Sequence, residues 1–131
     1  MQSIKEAIRA QLISAAVNSG NAIFDTQAPA GQDYPYVVFQ YIAGGDENQT
    51  ALDSRNELWQ VKAVSDNHAA AHTLADAIRA ALHRQVLSVS GWHHLWTVQT
   101  DHVWMIEPVA HRQVYHAGAT FRIRLYKVSA A

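Results

Sequence analysis

Cysteine is absent from this chain of 131 residues. That excludes disulfides, thiol nucleophiles and zinc sites built on thiolates. An excess of either charge is also missing, since ten Lys and Arg stand against eleven Asp and Glu, a formal net charge of -1. Nucleic-acid backbones are gripped by surplus cations, so general nucleic-acid binding is not indicated. Long apolar runs are lacking: none approaches the roughly 20 residues that cross a bilayer. Near the N-terminus, Lys5, Glu6 and Arg9 interrupt the stretch where a signal peptide would be apolar, and LISAAV is too short to replace it. The expectation is a soluble protein made and kept inside a cell. The phosphate-cradling loops GxxxxGK(S/T) and GxGxxG do not occur, and neither does the GxSxG elbow that exposes a catalytic serine. Nucleotide binding and the common nucleophile arrangements lose their usual support.

What is present is the composition of a folded domain. Hydrophobic residues make up 49% and charged ones 16%, whereas disorder demands low hydrophobicity and high net charge. A chain of this length buries roughly two-thirds of its unfolded surface without help from metal or disulfide. No repeat, low-complexity block or linker divides it, so residues 1–131 are expected to form a single domain.

The periodicity then gives the element order. Over residues 3–17, Ile4, Ala7, Ile8, Leu12, Ala15 and Ala16 recur at helical spacing, with Ser3 as predicted N-cap, Glu6 completing a capping box, and Asn18 to Gly20 as the stop. Ile23 and Phe24 make a short extended segment. In DTQAPAGQDYPYVVFQ, Pro29 and Gly31 form a turn and Pro35 extends Tyr34, so strand pairing begins at Tyr36. YVVFQYI, residues 36–42, is β-branched and aromatic on both faces and reads as an interior strand. Residues 43–56, AGGDENQTALDSRN, read as a long polar loop. ELWQVKAVS alternates from Glu57 to Ser65, and Asp66 or Asn67 caps a helix running to about Arg84, with the stripe Ala71, Leu74, Ala75, Ile78, Ala81 and Leu82. VLSVSGW, HLWTVQT and HVWMIEPV read as three short strands parted by Gly91 and by Asp101 and His102. From Tyr115 to Tyr126 one face is apolar and the other polar, a long closing strand. The predicted fold is α+β: a mainly antiparallel or mixed sheet with two principal helices on one face.

Eight histidines are the compositional excess that invites chemistry. His68 and His72 stand four apart on the second helix, but the sequence is HAAAH with Ala69 where a zinc protease carries Glu, so a solvated pair is favoured over a metal clip. His93 and His94 point to opposite faces of a strand, and His83, His102, His111 and His116 lack metal spacing. Asp46, Glu47 and Asp53 read as solvated loop acids, while Asp101 and Glu107 flank a strand. Trp59, Trp92, Trp96 and Trp104 read as core or subunit-interface packing. Arg122, Arg124 and Lys127, with Arg112 nearby, form the only basic concentration, on the polar side of the last strand. No catalytic, cofactor-binding or metal residue emerges.

Taken in order, AIRAQLISA, AIFDTQAPAGQDYPYVVFQYIAG, LWQVKAVSDNHAAAHTLADAIRAAL and RQVYHAGATFRIRLY resemble the tail-completion family of long-tailed phages, which includes tail terminators and tail-to-head joining proteins. The resemblance runs over nearly the whole chain but lapses between Ser88 and His102. It implies a non-enzymatic phage or prophage structural protein without cofactors. Such a protein assembles as a ring, commonly a hexamer, at the head-proximal end of the tail tube, where it stops tube polymerisation and meets a head–tail connector or stopper protein. DNA only passes through the lumen, no membrane is involved, and the virion tail, assembled in the bacterial host cytoplasm, is the location implied. Exposure and charge single out Asp46, Glu47, Asp53 and Arg55, with Arg122 and Arg124 as partners across subunits. Two other readings stay open: a different virion adaptor or head-completion protein, and a small enzyme or metal-binding protein using the histidines.

Overall fold

The computed structural model describes residues 2–15, 22–47 and 54–127, with the backbone alone for 46 and 47. Helix α1 spans Gln2–Ser14 and buries Ile4, Ala7, Ile8 and Leu12, the i, i+4, i+8 stripe that its sequence dictates. Ser3 lies inside the helix, and the Gln2 side-chain amide reaches Glu6 at 3.5 Å, so the predicted Ser3 cap is not formed. The helix also ends earlier than predicted, and the expected stop at Asn18 to Gly20 lies outside the described residues.

Strand β1 (Ile23–Asp25) pairs in parallel with β2 (Tyr36–Glu47), whose start after Pro35 is where the sequence places it. Strand β3 (Ser54–Ser65) runs antiparallel to β2, and the predicted 43–56 loop contracts accordingly. Residues 43–47 pair with 54–58, because a bulge between Tyr41 and Ala43 resets the register and lets the hairpin continue past Gly44 and Gly45.

Helix α2 (His68–Leu82) is capped by Asn67, whose side chain accepts from the Ala70 N–H at 3.0 Å, and it buries Ala71, Ile78, Ala81 and Leu82. After it, Val86–Ser90 is a connection whose Leu87 and Val89 fill the core. The other two short strands predicted here are one: β4 runs unbroken from Trp92 to Val109. Asp101 and His102, expected as a break, sit at a bulge between Gln99 and Asp101, where the Gln99 N–H is donated to His83 Nδ1 at 3.0 Å. Strand β5 (Arg112–Lys127) pairs with β3 on one side and β4 on the other.

The sheet order is β1-β2-β3-β5-β4, antiparallel except for its first pair. Both helices lie on one face, over Val37, Phe39, Trp59, Val61, Ala63, Ala119, Phe121, Ile123 and Leu125. Alternation explains this, since every second residue of β3 and β5 points the same way. Each of the large fully buried side chains contributes on the order of 1.5–3 kcal/mol. Gly118 is obligatory at the centre, where a Cβ would collide with the Val61 carbonyl and Lys62 backbone. The α+β architecture, with its mixed sheet and helices on one face, is the one the sequence predicts.

Candidate assembly surfaces

The sheet ends in two open edges. Strand β4 is bonded only to β5, so 18 residues carry backbone groups with no strand beyond them among the described residues. At the other side β1 covers only Val37 to Phe39, so among the described residues β2 is an edge from Gln40 onward. Open edges are sites of strand addition unless blunted by charge or proline. Both edges mix apolar and charged residues: Leu95, Trp104, Met105, Ile106 and Val109 are exposed along β4 beside Asp101, Glu107 and Pro108, and Tyr41 and Ile42 along β2 ahead of Asp46 and Glu47.

The outer end of α2 braces the β4 edge. His72 stacks on Trp104 with centroids 4.6 Å apart, His68 meets Trp104 and Tyr115 edge-on, and Trp104 stacks on Tyr115 at 5.8 Å. The histidine pair is exposed, as expected, and it also borders an aromatic cluster, because β4 continues past the point where the sequence suggested a break. Among the described residues no group of three ligating side chains converges. Of the tryptophans, Trp59 is fully buried and Trp92 packs against the core, whereas Trp104 is 45% exposed.

The extended β2–β3 arm carries the acidic residues singled out from sequence. Asp46 pairs in register with Arg55 and Glu47 with Ser54, while Asp53 lies outside the described residues. Arg55 Nε stands 2.7 Å from Glu57 Oε1, and the Glu57 side chain is completely buried on the helix face. The Tyr41 hydroxyl bonds the same carboxylate; burial of the phenol, then the Glu57 charge and this bond, push its pKa up, partly offset by Arg55. Gly44, directly across from Glu57, leaves the space that the carboxylate fills. Glu57 escaped notice in the sequence, although it falls in step with Trp59, Val61 and Ala63 and so was bound for the apolar face. Arg122 and Arg124 project from the opposite, helix-free face, where Arg122 Nη1 donates to Asn56 Oδ1 at 2.7 Å. The fold thus keeps Arg55 apart from Arg122 and Arg124 within one chain.

On the helix-free face the segment 26–33 arches over the sheet and encloses a groove of about 1050 Å³, floored by Val38, Lys62, Val64 and His116. Arg112 and Asp66 close one rim through a 3.2 Å ion pair, so Arg112 does not join the other arginines. Burial holds Lys62 below the usual lysine range. His116 is held low by burial and then by Lys62, with Glu107 opposing at 3.7 Å.

The chain's sequence matches the family described as tail completion protein gp17 over residues 6–126. The chain belongs to that family. It is a virion structural protein of the phage tail, in accord with the resemblance drawn from its ordered motifs. Among solved structures, one described as "Virion of native gene transfer agent (GTA) particle" shares the fold, with a TM-score of 0.77 at 19% identity, covering 94% of this chain and 94% of that one. A comparison with curated proteins returns no match.

Proposed function

We propose that this tail-completion protein closes into a ring, commonly a hexamer, that caps the head-proximal end of the tail tube, halts its polymerisation and presents a surface to the head–tail connector. The observation that supports this reading is the pair of open edges with exposed apolar side chains on opposite sides of one sheet, β4 and the distal half of β2. An edge that meets a different edge makes a heterologous contact, and repetition of such a contact yields a ring when the rotation closes. Joining β4 of one copy to β2 of the next continues the sheet and buries Trp104, Met105 and Ile106 against Tyr41 and Ile42. The arm's acids Asp46 and Glu47 then reach the neighbour, where Arg122 and Arg124 supply the opposite charge, while Arg55 stays with Glu57 of its own chain. A net charge of -1 per copy suits a lumen that lets DNA slide through without holding it. The work is mechanical, with no substrate turned over.

Electron microscopy and sizing of the purified protein, alone and with tail tubes, test this directly. Closed rings, and rings seated at one tube end that block further growth, are expected. Ile106→Lys and the double change Arg122→Glu, Arg124→Glu should each shift the population towards monomer. A strictly monomeric protein at high concentration that ignores tube ends, or variants that assemble like the parent at physiological salt, would overturn the reading.

A further inference from the structure

The groove beneath segment 26–33 contains a buried histidine without a hydrogen-bond partner and a half-buried lysine beside it. His116 is nine-tenths buried, and neither ring nitrogen has a hydrogen-bond partner; Glu107 Oε2, at 3.7 Å, is too far to serve. Lys62 lies diagonally beside it in the β3–β5 register and forms no hydrogen bond or ion pair among the described residues. A buried imidazole left without a partner costs free energy and calls for an explanation. Among the described residues no acceptor supplies it. The nearest acids are Glu107, half exposed on the edge strand, and Asp66, already committed to Arg112.

We propose that the groove seats an extended segment of a partner protein by one carboxylate, held between Lys62 and His116. A carboxylate accepts from both side chains at once and returns the charge that burial has taken from them. The size of the groove, about 1050 Å³, is at the top of the range for small-ligand sites and far exceeds one free anion. The stacked Tyr34 and Tyr36 on its wall, with centroids 5.7 Å apart, give the rest of a peptide something to lie against. Glu107 and Asp66 at the rim repel a polyanion, so a single acidic residue in a largely neutral segment fits better than a nucleic-acid backbone. This site lies on the sheet face and does not depend on ring closure.

Proton uptake accompanies the event. His116 faces Lys62 and Glu107, with Tyr36, Arg112 and Asp66 around the groove; a bound carboxylate favours the protonated imidazole, so binding tightens as pH falls from 7.5 to 6.

The test titrates the protein with capped Ala-Ala-Glu-Ala-Ala, its Gln counterpart, sodium acetate and inorganic phosphate, following the His116 ring proton by NMR. His116→Gln assigns that signal. The Glu peptide should bind at least tenfold more tightly than the Gln peptide and either small anion, and should raise the His116 pKa. Lys62→Met should weaken it about tenfold, and Glu107→Gln, which removes the competing acid from an exposed position, should strengthen it. Equal binding of the two peptides, no displacement of the His116 signal, small anions that bind as well as the peptide, or indifference to Glu107→Gln would each overturn the proposal.

Discussion

Arg55→Ala is the substitution that most directly probes how the β2–β3 arm is held. The arm depends on a carboxylate with no solvent exposure, Glu57, which rests on Gly44 and is met by Arg55 at 2.7 Å and by the Tyr41 hydroxyl. Removing one partner of a buried ion pair costs about 3–5 kcal/mol, because the charge left behind stays desolvated. Here the Arg55 side chain is 25% exposed and Tyr41 remains to share the carboxylate, so the expected loss is nearer about 2–3 kcal/mol. Unfolding entropy of about 2.1 cal/mol/K per residue converts this to a fall in Tm of about 10 °C for a chain of 131 residues. The companion double change Arg55→Met, Glu57→Leu replaces the pair by apolar groups of similar volume and should recover stability to within about 1 kcal/mol of the parent. Urea unfolding of the parent, Arg55→Ala, Glu57→Leu and the double variant forms a complete cycle. An Arg55→Ala protein within about 0.5 kcal/mol of the parent, or a double variant no better than the two single losses added, would refute the account of the arm as an ion-pair lock.

Two further outcomes are expected. Burial first, then Arg79 and Arg84 for His83 and Lys62 for His116, hold His83, His94 and His116 below the usual histidine range, with Glu107 opposing at His116. The unfolded chain therefore takes up protons first, so stability is full above about pH 6.5 and declines as pH falls towards the folded values; identical urea midpoints at pH 7.5 and 5.5 would contradict this. Gly118→Ala forces a methyl into the Val61 carbonyl and Lys62 backbone and should cost about 3 kcal/mol, whereas Gly45→Ala, with open space at the Cβ, should stay within about 0.5 kcal/mol in thermal melts.

Much of the fold was legible because helices and strands bury alternate residues at different periods. The stripes of α1 and α2, the strand start after Pro35 and the alternation of β5 all follow from that rule. The misreadings share a cause. Gly44 and Gly45, and Asp101 with His102, carry turn chemistry, but both lie in strands whose partners continue past them, so bulges absorb the irregularity and pairing carries on. The surfaces were less legible still. Asp46, Glu47, Arg55, Arg122 and Arg124 were visible as charges, yet the face each occupies depends on register. Nothing local marked Lys62 and His116 as neighbours, since 54 positions separate them in sequence.

Composition, periodicity and motif order were enough, by themselves, to determine that this chain folds as two helices over a mainly antiparallel sheet and resembles tail-completion proteins. Only tertiary structure decided which strands became edges, where Glu57 is buried, and which basic groups share a groove. The physical reason is range: burial periods are written within a few residues, whereas edges, ion pairs and grooves are made by residues that meet only after the sheet has closed.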